Sequence, residues 1–425
     1  MPPPCSHSPR VTAKILRPSC FLFLSLLLST PSPAQDPATK KLVTEANRLH
    51  ETNSSPDFDL KKATQDKKDS VGAFSDALRD WVESRLPSSK SALGAQSSSL
   101  QNRLNDDLKR AKVLPPVGKM DDYGYVNRLE IFQPREFPEA LAVVAGITMP
   151  CGTYDSFYVY DYSGGPPLRV LQSRSSREHD EGIRAIYFSN RDTSGGRLIL
   201  TLRTGVQCGS SWNRLSYDLF RLIPGTGAAV PVFSGEHGIW LADGDVLHAQ
   251  VTSDEFLIEF RDQSINPRFR NRTHLLRYSI GPSAVERIDP VALQPQDFVD
   301  EWLTRPWSEM ISRSFADNRD DLEKWHDTIA RNLVAGNIDV VQPCRDVPDN
   351  WKVAVTLNWI GGKKLPNPRP VYFLVHELGK YRFAMAAIGN REPDGCPGKT
   401  PPVSANPSLF ETDAQKNGSV PVVPF

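Results

Sequence analysis

The chain has 425 residues, long enough for two or three domains, and its 39% hydrophobic and 24% charged residues exclude a disordered or fibrous class. Lysine plus arginine balances aspartate plus glutamate at 50 each, so the whole-chain field gives no drive toward nucleic acid or an anionic membrane, and neither is expected as a partner.

The first 34 residues read as an export signal. Arg10, Lys14 and Arg17 make a basic start, Cys20 to Leu28 is an apolar run too short to cross a bilayer, and Ser32-Pro33-Ala34 supplies small residues for cleavage. The mature chain is expected to begin near Gln35, in the periplasm or outside the cell. No later stretch approaches the roughly 20 apolar residues of a spanning helix, so no transmembrane segment is expected after cleavage.

Residues 35–116 carry helical periodicity and form a predicted helical arm. Val71, Phe74, Leu78, Trp81, Val82 and Leu86 recur every three or four residues until Pro87. Leu93, Leu100, Leu104, Leu108 and Ala111 form a second stripe before Pro115-Pro116, and a weaker helix surrounds Leu42, Ala46 and Leu49. Such stripes either cover a neighbouring domain or join copies of the chain.

Residues 120–293 switch to period two, the pattern of sheets with one buried face. One four-strand unit is written twice: Cys151-Gly152 and Cys208-Gly209 stand 57 positions apart, as do Tyr160-Asp161 and Tyr217-Asp218, with no gap between the strand before each cysteine and the strand after it. Predicted strands are 125–132, 141–147, 157–162 and 168–171 in the first unit and 183–188, 197–203, 215–222 and 229–233 in the second. A weaker third unit covers 246–251, 256–261, 274–279 and 284–288. Strand order, period and the texture of FYVYDYSGGPP resemble the blades of β-propellers. Because closed propellers have at least four blades, the resemblance implies either a further blade from elsewhere in the chain or an open array.

A C-terminal α+β domain is expected over residues 296–396. Phe298, Trp302, Trp307, Ile311, Leu322, Trp325, Ile329 and Leu333 give helices an apolar face, and strands follow at 338–341, 352–357, 371–378 and 381–388 with a hairpin at Gly379-Lys380. That sheet is read as packed beneath the helices, with a fourth blade as the alternative. Residues 397–425 are Pro-, Ser- and Asn-rich and are expected to be a flexible tail. The fold class is thus α+β and mostly antiparallel β: a helical arm, propeller-like repeats, and C-terminal helices on a small antiparallel sheet.

Removal of the signal leaves Cys151, Cys208, Cys344 and Cys396. An even number in an exported chain favours disulfides. The repeat pairs Cys151 with Cys208 and leaves Cys344 for Cys396; a tetracysteine zinc site is the rival, without the close CxxC spacing such sites use.

No catalytic signature is present. His376-Glu377 lacks the second histidine of a zincin, and Gly398-Lys399-Thr400 lacks the earlier glycine of a P-loop. Three clusters remain. His179-Asp180-Glu181 could hold a metal or supply a general acid, and Asp243-Gly244-Asp245, between His237 and His248, could take a divalent cation; each also reads as a solvated loop. Arg268, Arg270, Arg272 and Arg277, with Phe269, form a local basic patch suited to carboxylate, phosphate or sulfate, or else a solvated or internally paired loop. The expectation is an exported binding or interaction protein for an extracytoplasmic ligand or protein, with no cofactor. An exported hydrolase or lyase with its site at the mouth of the β domain is one alternative, and a structural component oligomerising through the arm is another.

Overall fold

The computed structural model describes residues 36–52, 64–90, 97–115, 123–149, 152–175, 181–206, 212–223, 226–240, 247–263, 265, 271–282, 284–331, 336–360, 363–364, 368–396 and 409. Residues 1–34, read above as an export signal, together with Cys151, Cys208, His179, Asp180, Asp243, Asp245, Arg268, Arg270 and residues 397–425 except Leu409, lie outside the described residues.

Three helices open the described chain: α1 (Pro37–Thr52), α2 (Gln65–Glu83) and α3 (Ser97–Arg110). Thr64 caps α2 by accepting from the Lys67 N–H, and the helix ends before Pro87 as its sequence dictates. The apolar stripes of all three helices bury Leu42, Leu49, Phe74, Trp81, Leu104 and Leu108 in one core with the first sheet. The arm is therefore a covering layer, and burying a side chain the size of Trp81 contributes roughly 2–3 kcal/mol.

Four sheets follow, each of four antiparallel strands. The first is β1 (Val126–Phe132), β2 (Ala140–Met149), β3 (Gly152–Asp161) and β4 (Leu168–Arg174); the second is β5 (Glu181–Phe188), β6 (Arg197–Val206), β7 (Trp212–Leu222) and β8 (Ala229–Trp240). The third is β9 (Leu247–Val251), β10 (Glu255–Gln263), β11 (Asn271–Ile280) and β12 (Val285–Arg287). In all three, consecutive strands are neighbours. The sheets are repeat-like units stacked in chain order, and they do not close a propeller. Ala142, Val144, Phe157 and Val159 of the first sheet meet Ile183, Phe188 and Ile199 of the second. Leu198, Leu200, Leu215 and Tyr217, on the second sheet's other side, meet Phe256, Ile258 and Tyr278 of the third.

The constant offset of 57 proves true for strand order but not residue by residue. It carries Leu129 and Ile131 to Ile186 and Phe188, and these agree, facing the helices in the first sheet and the first sheet in the second. It also carries Leu141 to Leu198 and Tyr160 to Tyr217, and these disagree, since Leu141 and Tyr160 face the helices whereas Leu198 and Tyr217 face the third sheet. Register is the cause. Val126 pairs with Ile147, but Ile183 pairs with Arg203 and not with Thr204, and in a strand of period two a one-residue slip exchanges the faces. The hairpins differ as well: Met149 pairs directly with Gly152, whereas Val206 pairs with Asn213.

The C-terminal part begins with α4 (Pro295–Thr304), α5 (Trp307–Met310) and α6 (Arg319–Arg331). Its sheet is β13 (Gly336–Pro343), β14 (Asn350–Leu357), β17 (Pro370–Gly379) and β18 (Arg382–Gly389), with the small hairpin β15 (Trp359–Ile360) and β16 (Lys363–Lys364) inserted after β14. Phe298, Val299, Trp302 and Leu322 pack against Val353, Val355, Phe373 and Met385, which is the helix-on-sheet arrangement expected of these residues. Cys344 and Cys396 are bonded, and Lys352, buried on the other face of this sheet, donates to the Cys396 carbonyl at 2.6 Å. Among the described residues no helix is long and apolar enough to cross a membrane.

Candidate functional site: a buried charge cluster at the third sheet

The helix α4 is a wedge with two unlike faces. Phe298, Val299, Trp302 and Leu303 recur at helical spacing and face the fourth sheet, while Asp297, Asp300 and Glu301 occupy the opposite side. Nine of its ten residues are buried, so the acidic face is buried too and requires partners. Trp302 Nε1 donates to Ser314 Oγ at 3.0 Å and His326 Nε2 to the Arg305 carbonyl at 2.8 Å, which fixes the C-terminal end of the helix.

Three arginines meet Glu301, which has no exposed surface. Arg272 Nη2, from β11, donates to Oε2 at 2.7 Å; Arg305 Nε, one turn along, donates to Oε1 at 2.9 Å; Arg287 Nη2, from β12, also donates to Oε1. Arg272 Nε lies 2.7 Å from Asp300 Oδ2, Asp300 Oδ1 accepts from the Ile265 N–H at 3.0 Å, and Arg287 Nη1 lies 3.1 Å from Glu309. Burial by itself would raise the Glu301 carboxyl, but Arg287, Arg272 and Arg305 outweigh it and hold the group well below the usual carboxylate range. Burial opposes the charge of Arg272 as well, and Asp300 and Glu301 overcome it, so that guanidinium is held charged more firmly than usual.

Two histidines border this cluster. Arg305 Nη2 stands 3.2 Å from His237 Nδ1, and because a guanidinium only donates, Nδ1 accepts and the ring proton belongs on Nε2. Burial, reinforced by Arg305, pushes the His237 pKa down to about 3. His274 lies on the same face of β11 as Arg272 and stacks on Phe260 with ring centroids 5.0 Å apart; burial and then Arg272 hold it well below its ordinary value. Both imidazoles are therefore neutral at physiological pH.

Of the arginine run, the structure places Arg272 in this cluster and Arg277 on the opposite face of β11. Arg277 donates to Glu255 Oε2 at 2.7 Å and to the Asp289 carbonyl at 2.8 Å. Strand alternation separates residues five apart in sequence. Arg268 and Arg270, which would complete the patch, and His179, Asp180, Asp243 and Asp245, proposed as metal ligands, lie outside the described residues. Among the described residues no three His, Cys, Asp or Glu side chains gather as a metal site. Glu181 is buried and accepts from Ser216 Oγ at 3.0 Å. His376 Nδ1 lies 3.0 Å from Asn350 Oδ1, and Glu377 accepts from Trp351 Nε1 at 3.1 Å, so both residues of that dipeptide have structural partners.

Away from this cluster, the buried carboxylate of Asp155 on β3 braces the first two sheets. Its Oδ2 accepts from the Ile183 N–H of β5 at 2.8 Å and lies 3.4 Å from Arg128 Nη1, while burial raises its carboxyl above the usual range. Gly146 makes the room: a Cβ there would come within 2.5 Å of Asp155 Oδ1.

No family model matches the chain, and no curated protein sequence matches it.

Proposed function

We propose that the chain is an exported binding protein that engages an anionic extracytoplasmic ligand through the connection between β10 and β11, the stretch that carries Arg268 and Arg270 in sequence. The observation that supports this reading is the rigid base of that connection. Gln263 pairs with Asn271 across its two ends, and Arg272, the next residue, is pinned on two sides by Asp300 and Glu301. An arginine-bearing segment rooted in a fixed strand pair loses less conformational freedom on binding than one on a free loop, and guanidinium forks suit carboxylate, phosphate and sulfate.

Arg268→Ser/Arg270→Ser, which leaves the structural Arg272 intact, is expected to elute from a sulfated-polysaccharide column at clearly lower salt than the parent. Equal elution of the two at low ionic strength would dismiss the basic connection as the contact. Export is tested separately by intact mass of protein secreted from its native host. A mature N-terminus near Gln35 is expected, and retention of Met1 would remove the extracytoplasmic address.

A further inference from the structure

Next to the Glu301 cluster, hydrogen-bonding capacity stands unused where water is scarce. His274 is 5% exposed and Arg272 1%, yet neither ring nitrogen of His274 nor Nη1 of Arg272 has a hydrogen-bond partner among the described residues. A polar atom stranded in this way has given up its hydration for nothing in return, and folded proteins keep few of them without a bound water or ion. The two side chains are two residues apart on β11 and so share a face. His237 reaches the same corner from β8, with its ring centroid 5.5 Å from that of His274 and 5.0 Å from that of Phe260. It is only half-buried, so the corner has a side that approaches solvent.

We propose that this corner is a binding site for a small oxyanion, a carboxylate, phosphate or sulfate group, held by Arg272 Nη1, a ring N–H of His274 and the Nε2–H of His237. The donor set selects the class. Three N–H donors and one ring-nitrogen acceptor suit an oxygen-rich group, an apolar guest would leave them all unpaired, and His237, whose Nδ1 already accepts from Arg305, carries its proton on Nε2 and has no lone pair there for a metal cation. Asp297, Asp300 and Glu301 already offset the charge of the arginines around Arg272, so the affinity rests on hydrogen bonds and not on an excess of cations. The site uses neither Arg268 nor Arg270 and stands independently of the binding reading above.

The test is thermal unfolding and isothermal calorimetry with sodium sulfate, phosphate and acetate, each against sodium chloride at matched ionic strength and pH 7.5. The parent should show a saturable stabilisation and heat with at least one oxyanion. His274→Phe, which preserves a ring against Phe260, should raise the apparent Kd at least tenfold. His237→Phe, the more exposed position, should also weaken binding and serves if the first variant does not fold, and both histidine effects should persist in an Arg268→Ser/Arg270→Ser background, where the basic connection no longer contributes. A parent response no greater than that to chloride, or an equal response in the histidine variants, would overturn the proposal, because kosmotropic anions stabilise folds by exclusion without any site. In that outcome an ordered water satisfies these atoms.

Discussion

Replacing Glu301 by glutamine keeps the shape of α4 and removes the charge on which three arginines converge. Arg272 would keep Asp300 and Arg287 would keep Glu309, but Arg305 would be left with the neutral His237. Removing one partner of a buried ion pair costs about 3–5 kcal/mol, because the remaining charge is stranded in a poorly solvated place. Glu301 has no exposed surface and Arg305 is 14% exposed, so the lower part of that range is expected. Against a total stability of about 5–15 kcal/mol, such a loss should move the unfolding midpoint clearly. Urea denaturation at pH 7.5, followed by circular dichroism and by tryptophan fluorescence, measures it. Arg272→Met/Glu301→Leu should be less destabilised than the sum of its two single variants, since buried pairs tolerate joint apolar replacement better than single removal. A loss below about 1 kcal/mol for Glu301→Gln would show that the arginines turn to solvent at little cost, and the wedge argument would fail.

Acidification should weaken the fold through His237 and His274. Both are held neutral in the fold, His237 with a pKa of about 3, whereas the unfolded chain takes up these protons near 6.5. The stability is therefore complete above about pH 6.5 and lost as pH falls below it; at pH 5, His237 by itself accounts for about 2 kcal/mol. Urea midpoints at pH 7.5, 6 and 5 should fall in that order, and His237→Phe should flatten the slope. Gly146→Ala should cost about 1–3 kcal/mol in the same assay, since the added methyl displaces Asp155 from between the first two sheets. Cys344→Ser/Cys396→Ser opens a closure spanning 52 residues, for which the chain-entropy argument gives about 4 kcal/mol, and the parent should lose a similar amount on reduction.

Elements with a strong period were legible in the sequence. The stripe through Phe74, Leu78 and Trp81, the apolar runs of β2 and β6, and the helix face of Phe298 and Trp302 each mark an element in the sequence, and each lies where the sequence put it. The face that Leu198 presents was not legible, because a one-residue slip in the pairing of β5 with β6 leaves the alternation of each strand unchanged while reversing which side meets which neighbour. The Glu301 cluster was half legible. An acidic row at 297, 300 and 301 beside Phe298 and Trp302 is a signal for buried partners, but two of those partners come from strands β11 and β12, whose register the sequence does not show, and the third, Arg305, from just past the helix's own end. Arg272 was singled out for its neighbours at 268 and 270, although in the fold its Nε and Nη2 are engaged by α4.

The placing of charge on α4 bears on how the two halves of the molecule are joined. A helix apolar all round could slide or rotate between the third and fourth sheets, since dispersion and burial change little with small displacements. The forked contacts of Arg272 with Asp300 and Glu301 allow one rotation of the helix, and the Arg305 carbonyl held by His326 allows one axial position. Buried ion pairs of this kind add little net stability over an apolar contact of the same shape, but they penalise every other docking by leaving charges unpaired. In that account Arg272→Met/Glu301→Leu should remain folded yet show broadened resonances for Trp302 and Trp307, as α4 samples more than one seating. Sharp single resonances in that variant would mean that the aromatic face alone determines how the C-terminal sheet is set against the β repeats.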